Sequence, residues 1–174
     1  MSKLQNEVLK MYEDVTLKLA KKSFTVSTME SCTAGLVASL IANTPGASSV
    51  ISRAFVTYSN DEKVRQGVDR DIIDTYGVYS PETAESMAYA STLGVTDIGV
   101  GVTGVIDRAD PSNPSPGAGV VYYSVCSMLG VITHEINVPS NIEGRWERKL
   151  FVAKEIGETL LHIMEIEEKF STYC

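Results

Sequence analysis

The segment Met29-Glu30-Ser31-Cys32-Thr33-Ala34-Gly35 places a hydroxyl and a thiol where a β-like run gives way to a helix-like one. The first backbone N–H groups of a helix have no partner inside it and lie at the positive end of its macrodipole. Such a junction can hold an anion or an oxyanion. A second block, Tyr58-Ser59-Asn60-Asp61-Glu62-Lys63, closes another β-like run and offers a phenol and an amine, both usable as acid or base. Together the blocks point to a serine nucleophile, Ser31, with Lys63 as its base, directly or through Tyr58. Each residue also has a plain structural role open to it. Ser31 suits a helix N-cap, Tyr58 an amphipathic strand end and Lys63 a solvated helix turn. Cys32, beside an apolar run, fits a buried neighbour of the site better than an attacking group.

The elements that must position these groups follow from periodicity. Leu4, Val8, Met11, Val15 and Leu19 recur at helical steps and predict an amphipathic helix over 3–21. Phe24 to Met29 predicts a strand, and Thr33 to Asn43 a compact apolar helix closed by Thr44-Pro45-Gly46. Ala54 to Ser59 predicts a second strand, followed by helical turns over 60–66 and 69–76 that end at Gly67 and Gly77. Ser80-Pro81-Glu82 puts an N-cap, an N1 proline and a first-turn carboxylate in helical order, and starts a helix that runs to Leu93. Ile98 to Val102 predicts a strand buried on both faces, with glycines that let a neighbour approach closely.

Ile106 to Gly117 has prolines and no periodicity, the mark of a long functional or mobile loop. Ala118 to Cys126 and Val131 to Val138 predict an antiparallel hairpin, and 143–168 a long helix across the sheet. The expected fold is a single α/β domain. It is a three-layer α/β/α sandwich around a mixed, mostly parallel sheet with one antiparallel hairpin, binding ligands at strand ends.

Composition narrows the partners. A chain of 174 residues with a formal net charge of −7 does not suit nucleic-acid binding, which needs clustered Lys and Arg, but leaves room for a small anion. Cys32, Cys126 and Cys174 are widely spaced and odd in number, and no leader precedes the first helix, so a reducing cytoplasm without disulfides is expected. No apolar run is long enough to span a membrane. His134 and His162 lack partners at ligand spacing, and no metal or other cofactor is expected. A symmetric dimer is a common form for an enzyme of this size.

The two opening blocks, with Thr44-Pro45-Gly46-Ala47-Ser48-Ser49 and Arg53 to Asn60, resemble the CinA C-terminal domain family, which includes the stand-alone nicotinamide-nucleotide amidases. The likeness continues through Gly77-Val78-Tyr79-Ser80-Pro81-Glu82-Thr83-Ala84, Val102-Thr103-Gly104 and Gly144-Arg145 to Arg148, nearly the whole chain. It implies hydrolysis of the carboxamide of nicotinamide mononucleotide to nicotinate mononucleotide and ammonia, without a metal. The chain looks like the free-standing form, without the N-terminal molybdopterin-binding-like domain of larger CinA proteins.

Ser31 matches the nucleophile of the family's Glu-Ser-Cys-Thr-Gly-Gly motif, and Tyr58 and Lys63 match its Tyr-Ser-Asn-Glu-Ala-Lys motif. The resemblance places Glu30, Cys32, Thr33, Ala34 and Gly35 against the substrate, with backbone amides of 33–35 holding the oxyanion. Ser48 and Asn60 join them. Thr103 and Gly104 either present a hydroxyl and an N–H or simply turn the chain, and Arg145 and Arg148 either meet the phosphate or lie on a solvated helix face. Two departures stand out. Ala34 stands at one of the motif's glycines, and Val105-Ile106-Asp107-Arg108-Ala109-Asp110-Pro111 replaces a glycine-rich loop, with Arg108 offering an anion contact. The same residues are compatible with a silent nucleotide-binding or regulatory module, or with an amidase for another small amide.

Overall fold

The structure, a computed structural model, describes the backbone of residues 1–171 apart from 109 and 115, and the side chains of that set through residue 166. Cys174 lies outside the described residues. In chain order the elements are α1 (Lys3–Lys22), β1 (Val26–Glu30), α2 (Leu36–Ala42), β2 (Ile51–Val56), α3 (Asn60–Arg65) and α4 (Arg70–Tyr76). They continue with α5 (Pro81–Thr92), β3 (Ile98–Gly104), β4 (Val120–Ser127), β5 (Gly130–Asn137) and α6 (Arg145–Ser171).

The strands form one sheet in the order β2-β1-β3-β4-β5. β1 pairs in parallel with β2 and β3, whereas β3–β4 and β4–β5 are antiparallel. β4 alone therefore runs against the others, as the expected mixed sheet with one hairpin requires. α1, α2 and α6 pack on one face around Val8, Tyr12, Val37, Leu150 and Ile156. α5, with α4, packs on the other around Met29, Ile73 and Met87. The three-layer sandwich is as expected.

This topology gathers the site. Because β1, β2, β3 and β5 share a direction, their carboxyl ends meet at one edge, where Glu30 stands beside Val56 and Val102. The Ser31 segment, the Tyr58 block, the loop after β3 and the start of α6 all leave the sheet there. The close approach expected at β3 is real. A Cβ on Gly99 or Gly101 would overlap the backbone oxygen of Ala88 or Ala84 in α5.

Two boundaries differ in ways that matter. β2 begins at Ile51 and ends at Val56, so Thr57 and Tyr58 lie past its end. α2 begins at Leu36, three residues beyond the expected start at Thr33, because Ala34 (φ +56°) and Gly35 (φ +87°) adopt left-handed backbone and turn the chain first.

Candidate active site

Ser31 is not the cap of α2. Gly35 occupies that position without a side-chain bond, and the helix is held by Glu30 instead. This fully buried carboxylate accepts the N–H groups of Val37 and Ala38 at 3.1 and 2.9 Å. A carboxylate meets both the orphan amides and the dipole, a stronger fit than a hydroxyl. Glu30 is therefore a helix anchor and not a substrate contact.

Freed from capping, the Ser31 hydroxyl faces Lys63, whose Nζ donates to Ser31 Oγ at 3.1 Å and to the Thr57 carbonyl at 2.7 Å. α3 delivers the lysine. Ser59 caps it by accepting the Glu62 N–H at 3.1 Å, and the helix turns Lys63 inward until it is 1% exposed. Burial lowers the ammonium from 10.5 to about 8, against a smaller opposing pull from Cys32. The Cys32 thiol, also buried and near Glu30, is pushed up to about 12, so it stays protonated. A protonated thiol is the weaker attacking form.

Tyr58 does not join the pair. It is 65% exposed, and its hydroxyl stands 3.5 Å from Arg145 Nη2 with no bond to Ser31 or Lys63. The contact between serine and lysine is direct, and the route through the phenol has no geometric support.

Two cavities open beside Ser31, of about 340 and 270 Å³. Ser31, Tyr58, Tyr79 and Asp110 line both. Lys63 and Asn60 belong to the larger, and Cys32, Gly104, Arg108 and Arg145 to the smaller. The remaining expected contacts lie elsewhere. Thr33 is fully buried with an unpartnered hydroxyl, and Thr103 is buried with its hydroxyl committed to the Val78 carbonyl at 2.7 Å. Ala34 and Gly35 line neither cavity and serve the turn into α2. Ser48 follows Gly46 in a short 3-10 helix before β2, at the opposite end of the sheet, because the strand must run its length before reaching the site. Arg148 is held by the Ile142 and Ile106 carbonyls at 2.9 and 3.3 Å and pairs with Asp107, which makes it a brace for the loop.

The oxyanion seat also changes. The Ala34 N–H is spent on the Ser31 carbonyl at 3.1 Å, and Glu30 takes the helix end. Among the described residues, the N–H groups of Cys32, Thr33 and Gly35 are left without a backbone acceptor, and of these residues Cys32 alone lines a cavity.

The 105–119 loop contributes what sequence reasoning missed. The Tyr79 hydroxyl donates to Asp110 Oδ2 at 2.7 Å, and Asn60 Nδ2 donates to Asn113 Oδ1 at 3.1 Å, which fastens the loop over the larger cavity. Asp110 also accepts the Ser112 N–H at 2.8 Å, an Asx turn that the string Asp-Pro-Ser-Asn signals. Tyr79 carried no such signal. Burial, and then the bond to Asp110, raises its phenol well above the usual range.

A buried serine–lysine pair at the carboxyl edge of a three-layer α/β/α sheet defines the class of protein. Residues 8–154 match the CinA C-terminal domain, and the chain belongs to that family. It is 40% identical over 126 residues to a Clostridium acetobutylicum protein with the provisional name competence-damage inducible protein, across 71% of this chain and 30% of that one. A Caldanaerobacter subterraneus protein of the same name is 44% identical over 115 residues, 63% of this chain and 27% of its own length. The chain thus spans less than a third of these relatives. The crystal structure of competence/damage inducible protein CihA from Agrobacterium tumefaciens superposes with a TM-score of 0.81 at 30% identity, covering 93% of this chain and 98% of that one. An Escherichia coli CinA superfamily structure reaches a TM-score of 0.81 at 17% identity, over 94% and 93% of the two chains, a likeness of fold alone. No described helix is long and apolar enough to cross a membrane.

Proposed function

We propose that this protein is an amidohydrolase that cleaves the carboxamide of a pyridine mononucleotide, nicotinamide mononucleotide, to the acid and ammonia. The observation that carries the reading is the 3.1 Å contact between a buried Lys63 and Ser31 at the mouth of two cavities. After Lys63 loses its proton, its lone pair accepts the Ser31 O–H across the same distance, and the amine serves as base. Ser31 Oγ attacks the carboxamide carbon, and the carbonyl oxygen takes negative charge beside the N–H of Cys32, which lines the smaller cavity. Lys63 returns the proton to the departing nitrogen, and ammonia leaves an acyl-Ser31 ester. Water, deprotonated by the same amine, adds to the ester carbon and releases the acid and Ser31. Arg108 and Arg145 in the smaller cavity suit a phosphate, the anion for which a guanidinium fork is matched.

Ammonia release from nicotinamide mononucleotide tests the reading. Turnover that falls by roughly 10² to 10⁴ or more in Ser31→Ala and in Lys63→Ala supports it. No release by the parent chain sinks it, and binding without release supports a silent nucleotide-binding module instead.

A further inference from the structure

The aspartates around the two cavities differ in what balances their charge. Asp61 is paired with Arg70 at 2.8 Å and Asp107 with Arg148 at 3.5 Å. Asp110 meets three neutral donors, the Tyr79 hydroxyl at 2.7 Å, the Asn113 side-chain amide at 2.7 Å and the Ser112 N–H at 2.8 Å. Among the described residues no cation is bonded to it. Neutral donors hold a carboxylate in place and favour its charged form without cancelling the charge.

Its position gives that charge a use. Asp110 lines both cavities together with Ser31, Tyr58 and Tyr79. A ring whose carboxamide reaches Ser31 therefore lies near this carboxylate and two phenol rings, whichever cavity it fills. A carboxylate and aromatic faces both attract a cation, and neither offers a neutral ring of the same shape a comparable gain. Arg108 and Arg145 line the smaller cavity as well, so a ligand there meets cations suited to a phosphate in addition to this carboxylate.

Resting on the pyridine-nucleotide reading above, we propose that Asp110 makes this site selective for an amide on a positively charged ring, an N-substituted pyridinium, over the neutral ring of its reduced form. Asp110 is a specificity determinant and takes no part in bond breaking.

The test uses the full chain carrying Ser31→Ala, which leaves the amide uncleaved. Calorimetric titration compares nicotinamide mononucleotide with its dihydro form, which keeps the ribose and phosphate and lacks the ring charge. The expected preference for the oxidised nucleotide is roughly tenfold. It disappears when Asp110→Asn is added and persists when Tyr79→Phe is added, since that change loosens the loop but keeps the charge. Thermal unfolding checks that each variant is folded. Equal affinity for the two nucleotides, or a preference that survives Asp110→Asn, overturns the proposal and leaves the pyridine-nucleotide reading standing. A preference lost equally in both added variants assigns the selectivity to loop placement and also overturns it. Binding of neither nucleotide removes the substrate reading, and the proposal with it.

Discussion

Lys63 is the residue whose surroundings do most to decide the chemistry, and its burial acts on rate and on stability. Folded, it titrates near 8, against 10.5 in the open chain. Below pH 8 the folded amine is charged and cannot take the Ser31 proton, so kcat/KM should rise about tenfold per pH unit up to about 8 and then level off. A pH–rate profile over pH 6 to 10 checks this, and a flat profile would remove Lys63 as the base. Between pH 8 and 10.5 the unfolded chain binds the proton that the folded chain has lost, so the lysine's contribution to stability rises with pH across that window. Below 8 both states are protonated and the cost of a buried charge is fully present. Lys63→Met should therefore stabilise the fold at pH 7 by about 1 to 2 kcal/mol while abolishing turnover, and the gain should shrink at pH 10. Urea unfolding at the two pH values measures it. Ser31 and Lys63 were legible through the two strand-end motifs that match the family's, although each also suited a plain cap or a solvated turn. Tyr79 was not, since nothing in its local string tells a cavity wall from a core aromatic.

Among the elements, β3 and α5 are joined more tightly than ordinary side chains permit. Gly101 faces the first turns of α5 with no room for a methyl group, and the two nearest obstructing atoms are backbone. Gly101→Ala should cost about 3 kcal/mol or more and push β3 away from α5, because neither element can yield locally. Denaturant melts with and without the substitution would measure this. A change below about 1 kcal/mol would show that the contact is softer than described. Ala34→Gly acts in the opposite direction. A left-handed alanine at φ +56° is strained by roughly 1 to 2 kcal/mol, and glycine relieves this at some entropic cost, so a net gain of about 0.5 to 1 kcal/mol is expected. The order and type of the elements could be read from periodicity and caps. The start of α2 could not. Its position depends on two left-handed residues and on a carboxylate reaching back from β1, and propensity registers neither.

For the whole molecule, the sheet order grades stability from the middle outward. β1 and β3 are wholly buried and flanked by strands on both sides, whereas β5 is an edge with several exposed positions. In hydrogen exchange the amides of β1 and β3 should be the last to open and those of β5 among the first, spread over several decades in rate. Uniform exchange would contradict that gradient. The shared strand direction that brings four strand ends to one edge could be anticipated from the alternation of elements. The folding of the loop back onto Tyr79 and Asn60 depends on tertiary contacts, and its proline-rich string pointed only to irregularity.

At that edge, Glu30 and Ser31 are tied to their surroundings four times over. Ser31 N–H donates to the Val102 carbonyl at 3.0 Å, the Glu30 carbonyl accepts the Thr57 N–H at 2.9 Å, and the Glu30 carboxylate holds two amides of α2. None of these ties passes through residues 106–117. The Ser31 segment and the 106–117 wall of the cavities are therefore held by separate sets of bonds. A lineage could shorten, lengthen or recompose the wall and inherit the anchoring of Ser31 unchanged.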